Sequence, residues 1–251
     1  MKARPRDGLF VFGIFSTMKK TAPIGIFDSG VGGTSIWKEI HQLLPYENTI
    51  YLADSANAPY GNRSETEIVS LSIKNTEMLI AMGCKLIVVA CNTATTNAID
   101  LLRKNYTIPI IGIEPAIKPA ALQTQSKSIG ILATKGTLSS ALFHKTSKAF
   151  TKDISVIEIV GEGLVPLIEK GALNSPELQK LLLEFTAPMV AANIDYLVLG
   201  CSHYPYLIPQ LKEILPDTVT IIDSGEAVAR QTKNMLATLN LLSEEIKAPT
   251  L

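Results

Sequence analysis

Leu86-Ile87-Val88-Val89-Ala90 is five apolar residues in succession, and it runs straight into Cys91-Asn92-Thr93 and a helical stretch over Thr95–Lys104. A strand with one wet face alternates polar and apolar residues, whereas a strand without alternation is covered on both sides. Working outward from this run, the same punctuation recurs along the chain. Ile24–Phe27, Thr49–Ala53, Ile108–Ile113, Ser128–Leu132, Ile154–Val160, Tyr196–Leu199 and Thr220–Ile222 read as further strands. Helical stretches separate or follow most of them, notably Thr34–Leu44, Ser64–Met82, Glu177–Asn193, Leu207–Leu215 and Glu226–Leu239. In Ser64–Met82 the apolar residues Ile68, Leu71, Met78 and Leu79 keep helical spacing, and Ser64 with Glu67 forms a capping box. Covered strands alternating with helices mean an α/β fold on parallel sheets. Pro109, Pro115 and Pro119 cluster near the middle, where a crossing between two units would fall.

Composition narrows the class. The 251 residues are 47% hydrophobic with a mean hydropathy of +0.24, as expected of a packed globular protein. Lys plus Arg equals Asp plus Glu at 23 each, which offers no basic excess for nucleic acid or an anionic membrane. No apolar run is long enough to span a bilayer. Three cysteines, Cys84, Cys91 and Cys201, are too few and odd in number for a disulfide framework, and they fit a reducing cytoplasm. At the N-terminus Lys2, Arg4 and Arg6 precede the apolar Leu9–Phe15, but no small-residue cleavage pattern follows. Met18 stands before the basic pair Lys19–Lys20, so residues 1–17 read as an extension and Met18 as the natural start.

There is a short internal echo. Ile87–Ala90 ends in Cys91-Asn92-Thr93 and Leu197–Gly200 in Cys201-Ser202-His203; Phe27-Asp28-Ser29-Gly30 is matched by Ile222-Asp223-Ser224-Gly225. Two similar halves follow as an expectation. Ligands of open parallel sheets bind beyond the carboxyl ends of the strands, and five polar clusters fall there. They are Asp28 to Gly33, Ala58-Pro59-Tyr60-Gly61, Cys91-Asn92-Thr93, Thr134 to Thr137, and Cys201-Ser202-His203. The glycines of the first cluster suit a tight turn whose N–H groups approach an anion, but the pattern is neither GxGxxG nor a Walker loop. Asp28 suits a substrate ammonium group, and equally suits an ordinary helix-capping role.

Cys91 and Cys201 each end an apolar strand and precede polar residues and a helix. A helix N-terminus favours a thiolate, so both thiols are expected below the usual ~8.5. One such cysteine is ordinarily a packing residue; two at matching sites suit inversion of a stereocentre, with one acid/base group on each face. Cys84 has no polar companions and reads as core. Asn92, Thr93, Ser202 and backbone N–H groups are candidate donors to an α-carboxylate. His203 is placed to tune Cys201, or is a structural loop histidine. His41 and His144 sit in helical stretches.

Taken together, Asp28-Ser29-Gly30-Val31-Gly32-Gly33, Pro59-Tyr60-Gly61, Ala90-Cys91-Asn92-Thr93-Ala94-Thr95 and Gly200-Cys201-Ser202-His203-Tyr204-Pro205 resemble the motifs of bacterial glutamate racemases, within the aspartate/glutamate racemase superfamily. The resemblance runs from about Ile24 to about Ala229. It implies two α/β domains enclosing the substrate, placed here at 18–114 with 223–251 and at 115–222, and it implies neither pyridoxal phosphate nor metal. It implies that Cys91 acts on D-glutamate and Cys201 on L-glutamate, assisted by Asp28 and His203, with Asp54 and Glu169 also functional. It further implies that Asn92, Thr93, Thr134 and Ser202 hold the α-carboxylate, while Ser29, Tyr60 and Gly61 hold the side-chain carboxylate. A cytoplasmic homodimer supplying D-glutamate for peptidoglycan, and so for cell-wall biogenesis and cell shape, completes the expectation. Two departures stand out: Ser202 replaces the family's usual threonine, and Gly161-Glu162-Gly163 lies where relatives carry bulkier residues. The alternatives are an aspartate racemase, whose relatives carry an acidic residue in place of His203, and a silent binding protein, which needs no matched thiols. A thiol redox enzyme lacks the C-x-x-C it would use, and Cys201 with His203 lacks further metal ligands at recognisable spacing.

Overall fold

Successive side chains of a strand point to opposite faces, so an unbroken apolar run must find packing partners above and below. The computed structural model supplies both. It describes residues 18–244; the extension read at 1–17 and residues 245–251 lie outside the described residues. The first sheet holds β1 (Ile24–Asp28), β2 (Thr49–Ala53), β3 (Leu86–Val89) and β4 (Ile110–Gly112), in the order β2-β1-β3-β4 and parallel throughout. Around it lie α1 (Thr34–Leu43), α2 (Glu65–Ala81) and α3 (Asn92–Asn105). Ile24, Ile26, Leu86 and Val88 pack with Ile36 and Ile40 of α1, while Phe27, Ile87 and Val89 pack with Ile68 and Leu79 of α2 and Leu102 of α3.

The second sheet repeats the plan. β5 (Ser128–Ala133), β6 (Ser155–Val160), β7 (Tyr196–Gly200) and β8 (Thr220–Ile222) lie in the order β6-β5-β7-β8, again all parallel. Its helices are α4 (Ile117–Gln123), α5 (Lys135–Leu138), α6 (Ala141–Phe150), α7 (Leu164–Glu169), α8 (Pro176–Ala191) and α9 (Ile208–Ile214). Ile129 and Ile131 pack with Ile117 and Phe143; Leu132, Leu197 and Leu199 pack with Leu164, Leu178 and Leu182. The last helix, α10 (Gly225–Thr238), leaves the second sheet and seals the first, burying Val228 and Leu236 among Ile24, Ile36 and Ile40.

The echo is half topological. β3 and β7 hold the same place in their sheets, so Cys91 and Cys201 are true counterparts. Asp28 and Asp223 are not, because β1 is interior and β8 is an edge. What they share is a local turn in which each carboxylate accepts the N–H of the glycine two residues on, at 3.0 and 2.7 Å.

Several elements differ from the sequence reading. The helix after β3 begins at Asn92 rather than Thr95, with Cys91 as its N-cap, so the polar triplet is a first helical turn. Threonines obscure that start, since their hydroxyls bond back to main-chain carbonyls, as Thr96 does to Asn92. The strand read at Ile108–Ile113 shortens to Ile110–Gly112, behind Pro109, which has no N–H for a ladder. Helices α4, α5, α6 and α7 were not anticipated. Pro119 and Pro166 look like breakers, but each sits in a first turn, where a proline is tolerated. Among the described residues no helix is long and apolar enough to cross a membrane.

At the amino end of the first sheet, the fully buried Lys85 ties three segments together. Its Nζ donates to Glu47 Oε2 at 2.5 Å, to the Leu241 carbonyl at 2.9 Å and to the Lys20 carbonyl. Glu47 Oε1 accepts the Ser243 N–H at 2.7 Å. Removing one partner of a buried pair strands the other charge without water. Lys85→Met is expected to lower unfolding stability by about 3–5 kcal/mol, and Lys85→Met with Glu47→Gln is expected to recover part of that loss. Denaturant titration of both variants measures this, and a single variant as stable as the native chain rules the clamp out.

Candidate active site

Asp28 ends β1, and Cys91, Thr134 and Cys201 follow the carboxyl ends of β3, β5 and β7; these are the two central strands of each sheet. The sheets turn these ends toward each other. Ser202 Oγ donates to Asp28 Oδ1 at 3.0 Å, Thr93 Oγ1 and Thr134 Oγ1 share a bond of 2.8 Å, and Asn97 Nδ2 donates to the Gly136 carbonyl at 3.2 Å. All five polar clusters read from the sequence lie along this seam or next to it.

The glycines of the first cluster make the approach possible. A Cβ on Gly30 would stand 1.9 Å from Glu169 Oε1, and one on Gly32 would stand 2.2 Å from His203 Nδ1. The turn's N–H groups do meet an anion, as its composition suggested. That anion is the Glu169 carboxylate, which accepts the Val31 N–H at 2.8 Å. Asp28 is fully buried and caps no helix: Gly33 precedes α1, and no side chain caps that helix. Asp28 instead accepts from Gly30 N–H and Ser202.

Cys91 is buried. Its Sγ accepts the Ala94 N–H at 3.5 Å and lies 3.8 Å from Ser29 Oγ. The helix start thus offers the N–H expected of it, yet the thiol is not activated. Burial first, then the Asp28 charge, pushes Cys91 far above the ordinary thiol range, with Cys201 adding to the rise and the Ala94 and Ser29 bonds opposing it. For Cys91 the direction is opposite to the expected one, because the loss of water and then the Asp28 carboxylate at the end of the adjacent strand outweigh one helical N–H. Cys201 is buried too, with its Sγ 3.8 Å from His203 Nδ1.

His203 lies between that sulfur and a carboxylate, its Nε2 2.5 Å from Glu169 Oε1. Burial disfavours the imidazolium, but the Cys201 and Glu169 bonds prevail and hold the ring well above its usual value. Glu169 is drawn below the usual carboxylate range, chiefly by His203. Gly32 N–H also points at Nε2, at 3.2 Å. One ring nitrogen cannot donate and accept together, so the Gly32 bond belongs to the neutral ring and the Glu169 ion pair to the charged one.

The remaining sequence candidates divide. Asn92 is buried with neither Nδ2 nor Oδ1 bonded to another described residue, an arrangement that calls for a polar ligand. Thr93, Thr134 and Thr137 form a hydroxyl cluster, with Thr134 and Thr137 at 3.1 Å. Asp54 is bonded to Tyr60 and Asn57, away from both sulfurs in the bonds it makes. Gly61 faces Thr134 across the seam, where a Cβ would stand 2.9 Å from Thr134 Cβ. The Gly161 departure has a steric reason: a Cβ there would stand 2.2 Å from the hydroxyl of the buried Tyr204. Cys84 is core, its thiol pushed up to about 11 by burial. His41 stacks on Trp37 with ring centres 5.3 Å apart, outside the site. Among the described residues no group of three or more His, Cys, Asp and Glu side chains is placed to hold a metal ion.

Sequence reasoning missed Tyr51, Ser35 and Asn75. Tyr51 Oη donates to the Gly30 carbonyl at 2.7 Å, and Ser35 Oγ reaches the Ser202 carbonyl at 2.8 Å. Asn75 carried a signal, since Ser72, Asn75 and Thr76 interrupt the buried stripe of α2 between Ile68 and Leu79.

Comparison with known proteins agrees with this geometry. The family model for Asp/Glu/Hydantoin racemase matches residues 24–232. A glutamate racemase of Ectopseudomonas mendocina is 48% identical over 225 residues, covering 89% of this chain and 86% of its own. Among solved structures, a Bacillus anthracis glutamate racemase isoform superposes with a TM-score of 0.81 at 32% identity, covering 91% of this chain and 86% of that one. The Escherichia coli glutamate racemase, solved with L-glutamate and the activator UDP-MurNAc-ala, gives 0.79 at 34% identity, covering 91% and 84%. A chain with this fold, matched by the family model over most of its length and by relatives of this identity, belongs to the Asp/Glu/Hydantoin racemase family and is an amino-acid racemase.

Proposed function

We propose that this chain interconverts L- and D-glutamate without a cofactor, by proton transfer between two thiols on opposite faces of the α-carbon. The observation that carries the proposal is the placement of Cys91 and Cys201 at matching strand ends of two sheets whose carboxyl ends meet. Substrate and product are mirror images, so one reversible acid/base group per face serves both directions.

In the L-to-D direction Cys201 takes the α-proton, with the charged His203 against its sulfur and Glu169 holding that ring. The electron pair left on the α-carbon collects a proton from Cys91 on the other face. The raised thiol of Cys91 is the acid this direction requires. The two sulfurs then stand in exchanged states, ready for D-glutamate. An α-proton is far less acidic than a thiol, so the carbanion depends on fixed donors and exclusion of water. Asn92, Thr93 and Thr134 are the donors for the α-carboxylate, joined by Ser202. Ser29, Tyr60 and Gly61 hold the side-chain carboxylate, and Asp28 takes the ammonium group and assists Cys91. We take the working unit to be a cytoplasmic homodimer, each chain formed of domains 18–114 with 223–251 and 115–222, supplying D-glutamate for peptidoglycan and thereby for cell shape. Glutamate rather than aspartate is favoured by His203 beside the second cysteine and by relatives that carry the glutamate name.

EDTA-treated protein given L-glutamate in D2O, with no added cofactor, is expected to form D-glutamate carrying α-deuterium, followed by chiral chromatography and proton NMR. Aspartate run in parallel is expected to stay inert, and its turnover instead would reassign the substrate. Cys91→Ala and Cys201→Ala are each expected to lose racemisation by about a thousandfold or more while keeping the native circular dichroism. Full turnover by either variant would falsify the two-thiol mechanism. For the charge relay, Glu169→Gln removes the partner that raises His203. NMR titration of the ring is expected to show the His203 value falling toward the ordinary histidine range, whereas an unchanged value would deny Glu169 this role.

A further inference from the structure

The turn Pro59–Asn62, assigned above to the side-chain carboxylate, is held by a hydrogen-bonded trio in which Asp54 and Asn75 have no part in the proposed chemistry. The ring of Tyr60 is 1% exposed, and its hydroxyl donates to Asp54 Oδ2 at 2.6 Å. The same hydroxyl accepts from Asn75 Nδ2, in the middle of α2, at 3.0 Å. Asp54 spends its other oxygen on Asn57 Nδ2 at 2.8 Å, and its main-chain N–H donates to the Asp28 carbonyl at 3.0 Å. A phenol has one proton to give, and here it is given away from the cleft. Tyr60 therefore has no hydroxyl proton left for a substrate carboxylate, and its turn can serve one only through main-chain groups and position.

We infer that Asn75 is a positioning residue for substrate: with Asp54 it clamps Tyr60 from behind, fixing the Tyr60–Gly61 main chain that holds the side-chain carboxylate. This rests on the glutamate reading above and refines it, because it moves Asp54 from a function the resemblance leaves open to the frame of the carboxylate site. The geometry supports that move: Asp54 bonds Tyr60, Asn57 and the β1 carbonyl, whereas Asp28 and Glu169 bond Ser202 and His203 of the second cysteine motif. Gly61 has little freedom in its place, since it lies in contact with Thr134, whose hydroxyl is joined to Thr93 beside Cys91. A shift of the turn reaches the substrate's far end before it reaches either sulfur. Groups that bind ground state and transition state alike alter KM and leave kcat.

Asn75→Leu keeps the branched shape but removes the whole amide; Tyr60→Phe keeps the ring and removes the shared hydroxyl. Both are assayed for L-glutamate racemisation beside the native chain, with thermal melting followed by circular dichroism. The expected result is a KM raised about tenfold for Asn75→Leu and more for Tyr60→Phe, with kcat within about threefold of native in the first. Unchanged KM in both variants, a fall in kcat without a change in KM, or loss of fold in both, overturns the inference. If only Asn75→Leu fails to fold, Tyr60→Phe decides on the same criterion. A native chain that does not racemise glutamate removes the underlying reading first, and that result is seen before any variant is compared.

Discussion

Two sulfurs can serve opposite faces of one carbon only if two sheets meet at their carboxyl ends with nothing bulky between them. That approach is the constraint on which the rest of the molecule depends. It is met at the Asp28–Gly33 turn, where glycines 30 and 32 lie against Glu169 and His203 more closely than any Cβ allows. Glycine here serves proximity between halves of the protein rather than a nucleotide phosphate. The turn then turns its own polarity to use, because Val31 N–H meets the carboxylate that orients His203. Packing, charge and the second thiol are joined at one point.

The relative placement of the sheets has few other fixed points. The chain crosses from the first sheet after β4 and returns after β8, and Ser224 Oγ donates to the Glu114 carbonyl where the two crossings run side by side. Hydrophobic burial chiefly stabilises each sheet with the helices on its two faces, and only Leu142 of α6 reaches from the second unit to the cluster around Phe27 and Ile87 among the described residues. The other links named across the seam are polar: Ser202 to Asp28, Thr93 to Thr134, Ser35 to Ser202, Asn97 to Gly136. Hydrogen bonds contribute about 1 kcal/mol each and are directional, so they set a geometry without the adhesion of an apolar interface. A site that admits and releases a small polar molecule needs that division of labour.

Much of this was legible in the sequence because it rests on local rules. Leu86–Ala90 had to be covered on both faces, and it is; the capping box at Ser64 and Glu67 is present with both of its bonds. Cys91 and Cys201 were recognisable as counterparts because each ends an apolar strand, and they hold the same place in sheets of the same order. The Asp28 and Asp223 likeness was equally visible and misleading, since a two-residue turn recurs wherever a carboxylate meets a glycine N–H. Tyr51 and Ser35 were out of reach: their partners lie 21 and 167 residues away along the chain, and only the assembled fold brings them together. Helices α4 and α7 were hidden by prolines that forbid a helix in its middle but not in its first turn.

The thiol of Cys91 shows how a local rule can point one way and its surroundings the other. A cysteine at a helix start is drawn toward thiolate by the N–H groups it faces, and Ala94 supplies such a contact. Asp28 lies on the adjacent strand in the same dry space, and removal of water leaves its charge unscreened. The sum favours the thiol. For a catalyst whose two ends were both activated as bases, that would be a defect. A racemase needs one base and one acid at any moment, and the two must exchange roles with each turnover. The environments are asymmetric in the required sense: a carboxylate beside Cys91 retains a proton there, while a charged imidazole backed by Glu169 lies against Cys201. The proposed symmetric reaction thus asks for halves that are alike in topology and opposite in charge.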